Sequence, residues 1–210
     1  MKVQIPYTPR PLQAELHKSL DKYRFAVLSC HRRFGKSVAI INHLIRAALT
    51  HKMKNPRFAY IAPTYKQAKS IAWDYLKMFA GAIPGAKFHE TELRCDLPNG
   101  SRITLLSSEQ PDSLRGLFLD GVCIDEVAQV EPRLWNEIIR PALSDRKGFC
   151  YFIGTPAGMG NLFYELYQYA LGDDEWFTYT AKASETNIID QKELDAAKAQ
   201  MGDTRYRQEF

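Results

Sequence analysis

The sequence is sparing in the features that place a chain in an extreme class. Its four cysteines, Cys30, Cys95, Cys123 and Cys150, are far apart and form no C-x-x-C pair. That excludes a zinc ribbon or a disulfide framework and leaves reduced, mostly buried thiols as the expectation. No apolar run reaches the roughly eighteen residues of a membrane span, and the N-terminus has no signal-peptide core, so a cytosolic chain without membrane contact is expected. Neither sign of charge dominates: 28 Lys and Arg face 24 Asp and Glu, a net +4. The pI of about 8.8 falls just short of the footprint of a dedicated nucleic-acid-binding domain. Repeats, low-complexity tracts and Pro-rich linkers are missing as well. What is present is 210 residues, 45% hydrophobic and 25% charged, enough for one ordinary domain with a small appendage and a real core.

Apolar runs alternate with amphipathic stretches, the pattern of strands and helices taking turns around a largely parallel sheet. Strands are predicted at Phe25 to Leu28, Phe58 to Ala62, Gly121 to Ile124, Phe149 to Ile153 and Trp176 to Ala181. Helices are predicted from about Lys36 to Leu49, Tyr65 to Phe79, Pro132 to Leu143 and Asn161 to Ala170. The segments 92–97 and 101–106 alternate on either side of Asn99-Gly100, a hairpin signal, so an antiparallel pair is expected on the sheet. Asp190 with Glu193 reads as a capping box opening a helix to about Met201, closed by Gly202. Asp203 reads as a further helix cap. The last residues carry no helix stop signal, and the expectation is a fragment cut where another domain would begin.

The densest chemical signal is Cys30-His31-Arg32-Arg33-Phe34-Gly35-Lys36-Ser37, between the first strand and the first long helix. It matches the phosphate-binding loop G-x-x-x-x-G-K-[ST] except that Cys30 replaces the first glycine. Loop N–H groups and the helix N-terminus would converge on phosphate oxygens. Lys36 would then reach the β and γ phosphates of ATP, and Ser37 would bind Mg²⁺. The competing reading is a basic turn before a core helix. Gly121 to Ile124 ends in Asp125-Glu126, and strand ends of a doubly wound sheet collect at the ligand crevice. Asp125 would hold Mg²⁺ and Glu126 would act as general base on the attacking water; the alternative is a helix-capping acid pair. Gly154-Thr155-Pro156 ends another strand, where Thr155 could sense the γ-phosphate or the water; alone, it reads as a turn. Before the first strand, Gln13 could read the adenine edge while Tyr7 or Arg10 stacks on the base, although a surface helix start explains the same residues.

Together these residues resemble the ATPase domain of the large terminase subunit of tailed bacteriophages, the motor that packages DNA into procapsids. The resemblance runs from Arg10-Pro11-Leu12-Gln13 through Cys30 to Ser37, Ala62-Pro63-Thr64, Ser113-Leu114-Arg115-Gly116, Asp125-Glu126 and Gly154-Thr155-Pro156 to Tyr206-Arg207-Gln208-Glu209-Phe210. It implies an α/β fold: a RecA-like P-loop ATPase of the ASCE type, with a mostly parallel sheet, an antiparallel hairpin and a small C-terminal lid. The core would occupy 1–180, and 181–210 would form the lid and a linker towards an RNase H-like nuclease that this chain does not hold. ATPase without DNA cleavage is therefore expected. It also implies Asp125 as metal acid, Glu126 as base, and Gly154-Thr155-Pro156 as a coupling motif. Arg32 matches a γ-phosphate sensor or finger acting in cis, Arg115 one reaching a neighbouring subunit, and Arg33 reads as a solvated charge. Implied partners are double-stranded DNA, a portal protein, a small terminase subunit and further copies of the chain in a ring on the procapsid, with a monomer in isolation as the alternative. The implied place is the host cytoplasm during assembly, outside the mature virion.

Two other readings stay open. A helicase fragment is suggested by Ala62-Pro63-Thr64, but such enzymes use a second RecA-like domain, for which there is no room. A non-hydrolysing nucleotide-binding assembly adaptor would need no positioned base, and Glu126 argues against it. Lys66, Lys69, Arg94 and Arg102 are candidates for DNA phosphate contacts, which would be nonspecific and salt-dependent; solvated surface charge is the competing account.

Overall fold

The computed structural model describes residues 4–210, apart from the side chains at 204, 207 and 208. In chain order its elements are α1 (Pro11–Leu20), β1 (Phe25–Cys30), α2 (Lys36–Thr50), β2 (Arg57–Ala62), α3 (Tyr65–Gln67), α4 (Asp74–Ala80), β3 (Lys87–His89), β4 (Arg94–Asp96), β5 (Arg102–Ser107) and β6 (Gly121–Ile124). There follow α5 (Arg140–Ala142), β7 (Phe149–Gly154), α6 (Leu162–Ala170), β8 (Trp176–Ala181), α7 (Ala183–Thr186), α8 (Gln191–Met201) and α9 (Asp203–Glu209). The strands form one sheet in the order β3-β4-β5-β2-β6-β7-β1-β8. The pairs from β5 to β8 are parallel, and β4 runs antiparallel to both of its neighbours. This is the expected mostly parallel sheet with its hairpin, whose turn Gly100 adopts a φ of 85°.

β1 and β6 are buried along their whole length, as strands covered on both faces must be. Alternation then sorts the core. Ala26, Leu28 and Cys30 of β1, Phe58 and Tyr60 of β2, Cys123 of β6 and Tyr151 and Ile153 of β7 face α1, α2 and α4. Phe25, Val27, Ala59, Ile61, Val122, Ile124, Cys150 and Phe152 face the other way, against α6 and the helical segment 134–142. Fully burying a side chain of this size stabilises by about 1.5–3 kcal/mol, so the two layers hold the central strands and the loops at their ends ride on a fixed frame.

Four details depart from the sequence expectations. The helix expected from Tyr65 to Phe79 is interrupted by a π-helical stretch at Ala68–Trp73, and that expected from Pro132 to Leu143 is π-helical at Leu134–Ile139. β3 was not foreseen; a three-residue edge strand is too short for a periodicity signal. Asp190 does cap α8, accepting from the Lys192 N–H at 2.9 Å, whereas α9 is preceded by Gly202 at φ 75° and Asp203 is its first residue rather than its cap.

Candidate nucleotide site

The carboxyl ends of β1, β2, β6 and β7 open into one cavity of about 350 Å³, whose wall includes Arg32, Ser37, Tyr60, Asp125, Glu126, Thr155 and Glu209. A larger hollow of about 750 Å³ lies at the opposite ends of the strands and is rich in cations. Those cations are largely engaged: Arg46 pairs with Asp21, Arg146 with Asp120, and Arg24 donates to the Gly148 and Leu143 carbonyls. It contains none of the loop residues, so the smaller cavity is the candidate site.

The loop between β1 and α2 is shaped by backbone turns. Arg33 and Gly35 both have positive φ, 65° and 86°. Left-handed residues turn consecutive N–H groups to one side, forming an anion-binding concavity. Gly35 takes its left-handed φ at no steric cost, and a Cβ there would sit 2.7 Å from Gln13 Nε2, so the Gln13 amide would have to move. Cys30, by contrast, has no positive φ and is 1% exposed in the core, so the first glycine of the motif is dispensable here. Burial pushes the Cys30 thiol up to about 12. Phe34 is fully buried and anchors the loop. His31, also buried, bonds the Arg32 carbonyl through Nδ1 and the Thr186 hydroxyl through Nε2, the latter at 2.9 Å. Lys36 Nζ lies across the loop, donating to the Cys30 carbonyl at 2.7 Å and the His31 carbonyl at 3.4 Å.

The residues expected to meet adenine divide. Gln13 is buried, its Nε2 donating to the Phe34 and Gly35 carbonyls at 3.3 and 3.2 Å, its Oε1 accepting from the Arg10 N–H at 3.0 Å. The Arg10 guanidinium donates to the Arg33 and Phe34 carbonyls at 3.2 and 3.3 Å. Both thus brace the loop from behind. Tyr7 turns to a different group, with its hydroxyl 3.0 Å from His17 Nε2 and its ring edge-on to Phe79; burial raises its phenol to about 12.

Asp125 continues the alternation of β6, so it points to the same side as Cys123, towards α2. One carboxylate oxygen accepts from the Glu126 N–H at 2.8 Å and the other from the Tyr60 hydroxyl. Burial raises its pKa, while Tyr60, the Glu126 N–H and Lys36 oppose that shift. Glu126 sits at φ 47°, a conformation costing about 1–3 kcal/mol in a non-glycine residue, and this turn carries it into the cavity wall. Burial first, and the Asp125 charge second, raise its pKa, which makes it a stronger base than an ordinary glutamate. Thr155 follows β7 into the same wall.

Among the described residues no cluster of three or more His, Cys, Asp or Glu forms a metal cage. One carboxylate, one hydroxyl and room for phosphates is nevertheless the donor set Mg²⁺ takes when it arrives with a nucleotide. Asp125 and Ser37 supply it, so the residues fit that ion.

Arg32 is in the cavity and ion-paired with Glu209, whereas Arg115 is not. It lies on the surface in a square of ion pairs, with Asp112 at 2.7 Å and Glu137 at 3.1 Å, both also shared by Arg133. Of the cations expected to meet DNA, Arg94 pairs with Glu92 and Asp96 and Arg102 with Asp96. Lys66 and Lys69 are exposed. Sequence reasoning missed Tyr60 and treated Glu209 only as part of a terminal motif. Tyr60 was findable, because it shares a sheet face with the continuation of β6 to Asp125.

The family model described as terminase large subunit, T4likevirus-type, N-terminal, matches residues 29–209. The chain is 31% identical over 180 residues to the terminase large subunit of Thermus virus P23-45, and 30% to that of Thermus phage G20c, covering 77% of this chain in each case. It spans only 36% of the length of those two relatives. The ATPase domain of the Thermus phage P74-26 large terminase superposes with a TM-score of 0.84 at 24% identity, over 98% of this chain and 94% of that one. The large terminase of another thermophilic bacteriophage, solved in complex with ADP, gives 0.79 at 15% identity, over 95% and 52%. These likenesses establish the fold as that of terminase ATPase domains.

Proposed function

The chain belongs to the terminase large subunit family, in its N-terminal domain, and from that premise we propose that it hydrolyses ATP to drive double-stranded DNA into a procapsid. The observation that carries this reading is the convergence of Ser37, Asp125, Glu126 and Thr155 on one cavity at the end of the loop that Lys36 closes. The thermophilic phage terminase that holds ADP supports nucleotide as the ligand.

In this reading Lys36 exchanges the Cys30 and His31 carbonyls for β- and γ-phosphate oxygens. Ser37 and Asp125 hold Mg²⁺, which neutralises phosphate charge when bound. Glu126 orients the attacking water and takes its proton, and Arg32 faces charge on the transferring phosphoryl group. Such positioning and electrostatic stabilisation account for most phosphoryl-transfer catalysis. Thr155 reports the loss of the γ-phosphate to the segment after β7. Arg115, outside its own cavity, serves the site of a neighbouring copy in a ring. Arg10 and Gln13 hold the shape of the loop by their bonds to its carbonyls, and Tyr7 is engaged with His17, so in this reading Arg10 and Gln13 support the loop and none of the three contacts the adenine. DNA, a portal protein and a small terminase subunit are the partners, in the host cytoplasm.

Glu126→Gln tests the reading. Turnover should fall ~10²–10⁴-fold, the usual contribution of a general base, with nucleotide affinity retained in a fluorescent-nucleotide titration. Unchanged phosphate release would remove Glu126 from its role, and failure of the wild-type chain to bind nucleotide would remove the proposal.

A further inference from the structure

Two buried tyrosines on one face of the sheet invite comparison. Tyr151 on β7 is 2% exposed and its hydroxyl donates to the Leu20 carbonyl at 2.7 Å. A buried phenol needs a partner, and a nearby backbone carbonyl provides one. Tyr60 on β2 is 1% exposed, yet its hydroxyl donates to the carboxylate of Asp125, the acid placed at the metal. In register Tyr60 faces Cys123. Asp125 is two residues further along, about 6.6 Å, and on the same side of the sheet, so the ring lies along the strand direction and delivers its hydroxyl to the cavity. Ser37 lines the same cavity as Tyr60 and Asp125.

From this arrangement we infer that Tyr60 is a positioning residue for the Mg²⁺ of the nucleotide complex, setting the orientation of Asp125 opposite Ser37 in the cavity wall. The Tyr60 proton fixes one Asp125 oxygen while the Glu126 N–H fixes the other, so the carboxylate cannot swing away from the loop. Tyr60 does not touch nucleotide itself. A phenylalanine there would preserve the packing against the core and remove only the hydrogen bond to Asp125.

The inference rests on the proposed nucleotide function, and the test separates the two. Affinity for a fluorescent ADP analogue is measured for wild type and Tyr60→Phe in Mg²⁺ and in EDTA, and Mn²⁺ affinity in the ADP complex is read by electron paramagnetic resonance. Tyr60→Phe should bind nucleotide in EDTA as wild type does and lose about 10-fold or more in Mn²⁺ affinity, the usual effect of removing a residue that orients a metal ligand. Equal Mn²⁺ affinity overturns the inference, and so does an equal loss with and without metal, which marks a purely structural tyrosine. A wild-type chain whose nucleotide binding ignores Mg²⁺ overturns the proposed function and the inference with it. Wild type carrying 3-fluorotyrosine at position 60 gives a check independent of the substitution: its ¹⁹F resonance should move when Mg²⁺ joins the ADP complex, and a stationary resonance counts against the assignment.

Discussion

Arg32 and Glu209 meet twice, once through the backbone, where the Arg32 N–H donates to the Glu209 carbonyl at 2.9 Å, and once through side chains, where Nε and the carboxylate are 3.0 Å apart. The loop is thereby tied to α9 at the far end of the sequence. The Arg32 side chain is 71% exposed, so the ion pair should contribute no more than ~1 kcal/mol. Glu209→Gln is expected to lower the thermal midpoint by ~4 °C at most, and the difference from wild type should vanish in high salt. A larger loss in calorimetry would mean that the carboxylate does more than pair with Arg32.

Gly35→Ala should destabilise by about 1–2 kcal/mol, the cost of a left-handed conformation in an L-residue, and should push Gln13 away from the loop. Nucleotide affinity should drop more than stability does, because the displaced amide also braces the Phe34 and Gly35 carbonyls. Urea melts alongside titrations with nucleotide separate the two effects. An alanine variant of unchanged affinity would show that the loop tolerates a different shape.

His17 and His43 stack 5.4 Å apart, and burial lowers their pKa values to about 4 and about 3. An unfolded chain takes up these protons near pH 6.5 and the folded one resists until much lower pH. Stability from these groups is therefore complete above about 6.5 and should decline as pH falls towards 4, by up to ~1.4 kcal/mol per pH unit per histidine. His17→Gln should flatten that slope in denaturant melts taken across the window; an unaltered slope would place the acid sensitivity elsewhere.

Arg115 lies outside its own cavity and is held by Asp112 and Glu137. If it serves a neighbour, Arg115→Ala and Glu126→Gln, each inactive alone, should regain turnover when mixed, because a mixed interface can combine an intact arginine with an intact base. No recovery at any mixing ratio, in conditions where wild type forms rings, would confine Arg115 to its own subunit.

The strand before the loop, the helix after it and the two strand-end motifs were legible from residues because their signals are local: an apolar run, a Gly-Lys-Ser step, an acid pair. The antiparallel β4 and β5 were legible through Asn99-Gly100. What escaped depends on distance. Nothing adjacent in sequence marks Tyr60; its partner Asp125 follows β6, and only the pairing of β2 with β6 puts the two on one sheet face. Arg10 and Gln13 suggested a base contact because their spacing is all the sequence displays, whereas their hydrogen bonds to the loop carbonyls arise only once α1 packs beside α2. The π-helical stretches at Ala68–Trp73 and Leu134–Ile139 share the periodicity of ordinary helices closely enough to pass for them.

The four cysteines are all buried, and burial raises the thiols of Cys30, Cys95, Cys123 and Cys150 above the ordinary range. A folded chain should therefore be nearly silent towards maleimides. A cysteine introduced by Met159→Cys, at a side chain 72% exposed just after the Gly154-Thr155-Pro156 turn, would be the one fast-reacting thiol among the described residues. A single dye could then be attached beside the nucleotide cavity without first removing any native sulfur from the core.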